Sequence, residues 1–302
     1  MGKNWKSHLA VLVANLIYGA NYSIAKSVMP DYIKPFGLIV VRVWVAAILF
    51  TISSAIFVKD KIEPKDRLRL LLCAVFGVAA NQLLFFKGLS MTSPINSGLM
   101  MVTNPIFVLL LSAFILGEVM NLRKIIGIIC GVSGAVLLIL YGKYFHRVVI
   151  SSSMGDLLVL LNSLSLGAYL VMVKPLMKKY HPILILKYIF MIGAVLVLPF
   201  GYNDLTQVQW SQFPISIWLA TGFVVIGTTF FAYLLNTSAL KKLSPGEVSI
   251  YIYLQPLLAA LFAILLGKDM PGLIHLISAI LIFAGVYLST IRGNVASATQ
   301  KK

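Results

Sequence analysis

One feature constrains this chain more than any other. An apolar run long enough to cross a bilayer, with a proline at its middle, occurs twice at a fixed offset. The first copy runs from Ser93 to Gly117 and the second from Ser244 to Gly267. Each opens with Ser-Pro, at Pro94 and Pro245. Each carries a second proline 11 residues on, Pro105 or Pro256, preceded by a carboxamide, Asn104 or Gln255. The offset of 151 between the proline pairs holds again at Gly134 and Gly285. A spacing kept over that distance marks an internal duplication.

Both copies exceed the ~20 residues that a membrane helix needs. Inside such a helix proline offers no N–H, so the carbonyl four residues back, Met101 or Ile252, loses its donor. In hydrocarbon that carbonyl needs another protein group or water. A central proline beside an amide therefore suggests a bent helix facing an interior polar cavity, with Pro105 and Pro256 as hinges. The plainer alternative is a kink packed against its neighbours, with the amide bonded to another helix.

Composition fixes the class. Of 302 residues 60% are hydrophobic and 11% charged, with a mean hydropathy of +0.95. This is the profile of an all-α polytopic membrane protein. Strand-type alternation is absent, which excludes a barrel. Ten apolar spans are predicted: Leu9–Val28, Phe36–Val58, Leu68–Leu89, Ile95–Gly117, Leu122–Tyr141, Gly155–Met177, Ile183–Phe200, Ile215–Leu240, Glu247–Gly267 and Leu273–Ile291.

The net charge is +16. Its lysines and arginines sit mostly in loops between apolar runs, with no basic stripe interleaved with aromatics, so nucleic acid is excluded as a partner. The expected partners are the lipid bilayer and a small-molecule substrate. Of 25 basic residues, 16 lie in the termini and alternate loops, 4 on the opposite side and 5 within spans. That bias predicts a multi-pass protein of the cytoplasmic (inner) membrane with both termini cytoplasmic. Cys73, Cys130 and the four histidines have no ligand spacing, so neither a metal nor a cofactor is expected.

The duplication sets the architecture. Spans 4 and 9 match, as do 5 and 10. In spans 1 and 6, Asn15, Gly19, Ala20, Tyr22 and Lys26 answer Asn162, Gly167, Ala168, Tyr169 and Lys174, with the offset slipping between 147 and 148. The repeat unit is five spans, residues 9–141 and 155–291 of a single membrane domain. Five is odd, so the second copy is predicted to sit upside down. The loops agree: Val58–Arg69 has five basic residues and its counterpart Gly201–Phe213 has none. Inverted repeats of this kind recur in secondary transporters, with substrate held near the midplane where the halves meet. Gly127 and Gly131 form a GxxxG pair that lets helices approach closely, within the fold or between copies, so monomer and homodimer both stay open.

Helical spacing groups the polar residues into stripes. Asn15, Gly19, Tyr22 and Lys26 share a face of span 1, and Asn162 with Tyr169 repeats the spacing in span 6. Asn96, Met100, Thr103 and Phe107 share a face of span 4. Tyr251 and Gln255 stand one turn apart in span 9. Thr229, Tyr233 and Asn236 run along span 8, with Gln82 their analogue on span 3. Polar groups facing lipid are costly, so these stripes should face inward. The predicted pocket lining is Asn15, Tyr22, Arg42, Gln82, Thr103, Asn104, Asn162, Tyr169, Tyr233, Asn236, Tyr251 and Gln255. For each one taken alone, an interhelical hydrogen bond worth ~0.6 kcal/mol is a sufficient alternative. As a set, amides, hydroxyls and rings suit small amphipathic metabolites such as amino acids.

Five basic residues, Lys26, Arg42, Lys87, Lys174 and Lys187, fall within spans near their ends. Such side chains can reach the interface. The other reading is an anion-attracting vestibule, with Arg42 gripping a substrate carboxylate. All nine acids lie in loops or at span ends, so no mid-membrane carboxylate is available as a proton or sodium relay. That predicts a facilitator or exchanger.

Taken in order, Gly19–Asn21, Arg42, Lys87–Pro94, Pro105, Gly117-Glu118, Gly155-Asp156, Tyr233, Ser244-Pro245 and Pro256 resemble the EamA-type branch of the drug/metabolite transporter superfamily. The resemblance runs over roughly Leu9 to Ile291. It implies ten helices in two inverted repeats and the passage of small metabolites across a membrane. Lys268 departs from the pattern, standing where the second copy often has a glutamate like Glu118.

The expected function is therefore a secondary transporter working by alternating access. An intramembrane enzyme would need a nucleophile with its base, or a metal set, at membrane depth, and the spans offer neither. An ATP-driven pump would need a GxxxxGK[ST] loop, which the sequence lacks. A non-transporting scaffold or receptor is the alternative that composition leaves open.

Overall fold

A computed structural model describes residues 4–92, 94–117, 121–145, 153–255, 257–258 and 273–290. Among them every regular element is helical and no strand occurs. The helices are α1 (Trp5–Val28), α2 (Pro35–Phe57), α3 (Pro64–Met91), α4 (in two pieces, Pro94–Met101 and Asn104–Leu116), α5 (Leu122–Phe145), α6 (Ser153–Lys179), α7 (Pro182–Thr206), α8 (Ile215–Ala239), α9 (opening with Pro245–Ser249) and α10 (Leu273–Thr290). Six of these, α1, α2, α3, α6, α7 and α8, are long and apolar enough to cross a bilayer.

Local chemistry explains where the helices begin and end. Pro35, Pro182 and Pro245 each sit in a first turn, where the missing N–H costs no hydrogen bond. Ser244 and Glu247 form a reciprocal cap at the start of α9. The Glu247 carboxylate accepts from the Ser244 backbone N–H at 2.6 Å, and the Ser244 hydroxyl accepts from the Glu247 N–H at 3.2 Å. Gly117 closes α4 in the left-handed region, φ +64°, where a residue without Cβ meets no penalty.

Four helices depart from regular geometry. The chain turns at Val102 and Thr103, and Pro105 lies in the first turn of the second piece of α4. The hinge expected at Pro105 is thus a break just before it. Pro256, the other expected hinge, lies outside the described residues, as do Glu118 and Lys268. In α9 the chain tightens to a 3-10 helix over Ile250–Tyr253. In α3 and α8 it widens to π-helix, over Val75–Ala79 and Phe223–Ala232. These wide segments fall at matching places, since adding the 151-residue offset to the first lands inside the second.

Helices pack in matched pairs: α2 on α7, α5 on α10, α3 on α6 and α1 on α8. The GxxxG pair is used inside the fold. A Cβ at Gly285 of α10 would lie 2.6 Å from the Gly127 carbonyl oxygen and 2.9 Å from Gly131 Cα of α5. The stripe of small residues lets two backbones of one chain touch.

Candidate functional site

The irregular segments converge on a central cavity. Its wall is drawn from α1 (Asn15, Tyr18, Asn21, Tyr22), α2 (Arg42), α3 (Asn81, Gln82, Phe85, Phe86) and α4 (Met101). The rest comes from α6 (Asn162, Leu166, Tyr169, Leu170), α8 (Thr228, Tyr233, Asn236, Thr237) and α9 (Val248, Ser249, Ile252, Gln255). The centre of a water molecule can move through about 80 Å³ of it, room for on the order of half a dozen waters. Rings and aliphatic side chains form much of the wall, with amides and hydroxyls between them.

Those polar groups are tied across the helices. Gln255 donates to the Asn15 side-chain oxygen and accepts from the Tyr22 hydroxyl, both at 2.9 Å, which joins α9 to α1. Gln82 donates to the Tyr233 hydroxyl at 2.6 Å, joining α3 to α8. The Tyr233 O–H is shared between the Gly77 carbonyl at 3.0 Å and the Asn81 side-chain oxygen at 3.2 Å. Asn162 donates to the Asn81 carbonyl at 2.8 Å. Tyr169 and Thr237 meet at 2.8 Å, and Thr228 donates to Asn21 at 3.1 Å.

The π-helical stretch of α3 takes part in this network. A widened turn leaves carbonyls that its own helix does not satisfy in the ordinary pattern. Side chains from other helices take them: Tyr233 bonds Gly77, and the Ser165 hydroxyl donates to the Phe76 carbonyl at 2.7 Å.

Among the described residues, Arg42 is the one charged residue in the wall. It is only 2% exposed. Its Nε donates to the Thr229 hydroxyl at 2.8 Å, and its guanidinium carbon stands 4.3 Å from the centroid of the Phe86 ring. Its Nη1 has no partner in the protein. Two acceptors in the same wall also lack one, the side-chain oxygens of Asn162 and Asn236. Arg42 therefore does not reach the membrane interface, although its place near a span end allowed that.

Nine of the residues predicted from sequence stand in this wall: Asn15, Tyr22, Arg42, Gln82, Asn162, Tyr169, Tyr233, Asn236 and Gln255. Thr103, Asn104 and Tyr251 do not. The break in α4 turns the first two onto α6, where Thr103 meets the Ser163 hydroxyl at 3.0 Å and Asn104 donates to the Ser163 carbonyl at 2.6 Å. Tyr251 meets His8 at the start of α1, at 2.9 Å. Its displacement follows from the 3-10 turn. Residues four apart share a face in an α-helix, being about 40° apart, but are about 120° apart at three residues per turn. At that pitch the shared face recurs every third residue, and Ser249, Ile252 and Gln255 all line the cavity.

Sequence reasoning missed Tyr18, Asn21, Asn81, Phe85, Phe86, Thr228 and Thr237 as wall residues. Tyr18 stands one turn before Tyr22, and Asn81 and Thr228 each adjoin a residue of a recognised stripe. Extending each stripe by one turn and one neighbour would have found them. The phenylalanines carry no such signal.

Two of the in-span lysines cap the ends of helices that contribute to the cavity wall. Lys26 of α1 donates to the Thr92 carbonyl at 2.6 Å and reaches the Leu89 carbonyl at 3.5 Å, where α3 ends. Lys174 of α6 donates to the Leu240 and Leu243 carbonyls at 2.5 and 2.6 Å, where α8 ends. The lysines differ by 148 positions and their acceptors by 151, the offsets of the duplication.

Comparison with known proteins agrees with a doubled unit. The model of the EamA-like transporter family matches twice, at residues 5–140 and 153–291. The chain is 26% identical over 286 residues to an uncharacterized transporter of Bacillus subtilis (strain 168), YyaM, covering 94% of this chain and 93% of that protein. It is 25% identical over 252 residues to a protein of Streptantibioticus cattleyicolor named "Probable terminal-alkyne amino-acid exporter", covering 83% of this chain and 82% of that one. A protein of known crystal structure with 19% identity superimposes with a TM-score of 0.75, over 95% of this chain and 97% of that one, a likeness of fold.

Proposed function

The chain belongs to the EamA-like transporter family, and from that premise we propose a secondary transporter that moves small metabolites, amino acids or related amphipathic compounds, by alternating access. It is a multi-pass membrane protein. The observation that carries the reading is the central polar cavity, walled by side chains that occupy matching positions in the two halves. Asn15 and Tyr22 from the first half face the same space as Asn162 and Tyr169 from the second, and Gln82 faces Tyr233. A scaffold has no need of such a chamber. The exporter of related sequence in Streptantibioticus, by its printed name, lends weight to amino acids as the solute class.

The proposed architecture is ten spans in two inverted five-helix repeats, residues 9–141 and 155–291. Three observations support it: the matched helix pairs, the matched π-helical stretches of α3 and α8, and the two lysine caps at positions related by the offset of the duplication. In the same reading the protein lies in the cytoplasmic membrane with both termini inside, as the distribution of basic residues favours. Among the described residues none that lines the cavity is Asp or Glu, which supports a facilitator or exchanger.

The test is counterflow in liposomes loaded with a panel of amino acids and other small metabolites. Exchange of at least one solute is expected, with rates unchanged when a pH gradient is imposed at fixed solute gradients. Flux that requires the pH gradient would remove the facilitator reading. Binding without flux or exchange would replace the transporter by a receptor.

A further inference from the structure

Resting on the transport reading above, we infer that the cavity selects solutes that carry a carboxylate together with hydrogen-bond donors. Arg42 would take the carboxylate, and the side-chain oxygens of Asn162 and Asn236 would take the donors.

The argument starts from what Arg42 has left to offer. A guanidinium carries five N–H donors in a plane. Here Nε is committed to Thr229, and the guanidinium carbon stands over the Phe86 ring, 4.3 Å from its centroid. Thr229 and Phe86 fix the plane from two directions while Nη1 has no protein partner. The free part of the group is an edge with unspent N–H bonds, and that is the part that grips a carboxylate. The charge is only 2% exposed, and among the described residues no lining residue is acidic. A buried charge without a counter-ion is costly to keep. A solute carboxylate supplies what the wall lacks.

The same wall holds the complementary deficit. The oxygens of Asn162 and Asn236 accept from nothing in the protein. Asn162 cannot readily turn away, because its amide nitrogen donates to the Asn81 carbonyl at 2.8 Å. Free acceptors call for N–H or O–H donors, such as an ammonium or hydroxyl beside the carboxylate. One spare cationic donor and two spare neutral acceptors fit a zwitterion or a hydroxy acid. They do not fit an amine without a carboxylate, which Arg42 would repel with no anion in the wall to offset it.

Four probes sharing one ring and chain test this: phenylalanine, 3-phenylpropionate, phenylalaninamide and phenethylamine. Counterflow in liposomes and thermal stabilisation of the full chain in detergent are read for each. Wild type should move and be stabilised by phenylalanine and, more weakly, 3-phenylpropionate. The two probes without a carboxylate should score at least about tenfold lower. Arg42→Gln should cut the signal of the carboxylate probes about ten- to a hundredfold, with partial recovery in Arg42→Lys. Replacing Asn162 and Asn236 together by Ala should bring phenylalanine down to the level of 3-phenylpropionate. If wild type handles phenethylamine or the amide as well as the acids, the inference is overturned and the transport reading stands. The inference also falls alone if the metabolite panel is carried while neither carboxylate probe moves or binds. If neither panel nor probes move or bind, both readings fall. Should Arg42→Gln not fold, the wild-type ranking of the four probes decides.

Discussion

The two carboxamides that precede the duplicated prolines hold matching places in the sequence and unlike places in the molecule. Asn104 is sealed against α6, its amide donating to the Ser163 carbonyl, and it has no share in the cavity wall. Gln255 stands in the wall, bonded to Asn15 and Tyr22 of α1. Each amide thus grips the first helix of the opposite half at a corresponding place, since Ser163 lies 148 positions after Asn15. The two halves differ in how the chain arrives there. α4 is interrupted by a turn at Val102 and Thr103, whereas α9 tightens to a 3-10 helix and brings Ser249, Ile252 and Gln255 to the cavity. Duplication supplies the scaffold, and local winding decides which elbow meets the cavity. A carrier that works by alternating access needs such an inequality, because two identical elbows would leave the cavity no preferred side.

The sharpest way to break this comparison is to truncate each amide in turn. Gln255→Ala removes a donor and an acceptor from the wall and leaves Asn15 and Tyr22 facing an empty place. Flux in liposomes is expected to fall by about tenfold or more, the usual consequence of orphaning buried polar groups. Asn104→Ala loses one interhelical bond, on the order of 1 kcal/mol in a membrane protein. Its expected signature is a melting temperature lower by about a few degrees with flux nearly kept. A dead Asn104→Ala beside an active Gln255→Ala would show that the packed elbow is the working one.

How legible these differences were in the sequence follows from their range. The apolar runs fell close to the helices because hydropathy is a local property. The ends moved where polar residues prolong a helix: α7 continues past Phe200 through Asn203 and Asp204 to Thr206. The stripes of α1 and α6, and the pair Tyr233 and Asn236 of α8, were legible because an α-helical spacing holds there. Tyr251 was misplaced because a 3-10 turn of Ile, Tyr, Ile and Tyr looks like any apolar helix. The π-helical stretch Phe223–Ala232 is hidden for the same reason, being too uniformly apolar for its pitch to show. Arg42 was read two ways because what decides its role lies far off in sequence, with Thr229 187 positions away.

The lysine caps sharpen the comparison between the halves at a lower level of effect. Lys174 holds two carbonyls at 2.5 and 2.6 Å, while Lys26 holds one at 2.6 Å and reaches a second only at 3.5 Å. The end of α3 has further support, since the Thr92 hydroxyl donates to Asp156 of α6 at 2.5 Å. Replacing each lysine by Met keeps the stem and removes the ammonium. Lys174→Met leaves two helix-end carbonyls without that donor and is expected to lower the melting temperature by about several degrees. Lys26→Met should cost clearly less. Equal losses would mean that the two corners are held alike and that the observed distances carry no energetic weight.

The smallest expected effect lies outside the membrane, where the halves are clasped by ion pairs of unequal quality. In the first turn of α3, Asp66 accepts from Lys179 at 2.8 Å and from the Tyr180 hydroxyl at 2.8 Å, joining the start of α3 to the end of α6. The pairing of Lys34 with Asp204 is looser, at 4.0 Å with the lysine well exposed. The hydrogen bond from Lys179, seconded by that from Tyr180, holds the Asp66 carboxyl below its ordinary value of 3.8. A depressed folded-state pKa stabilises above the unfolded value and ceases to do so as pH falls through the folded one. Wild type should therefore melt about a degree or two above Asp66→Asn at neutral pH. The gap should narrow below about pH 5 and close once pH passes under the ordinary carboxylate range. Asp204→Asn, on the looser pair, should show no comparable gap at any pH. A gap for Asp66→Asn that persisted in acid would mean the residue stabilises by shape or neutral hydrogen bonding, and the two faces would then differ for reasons other than charge.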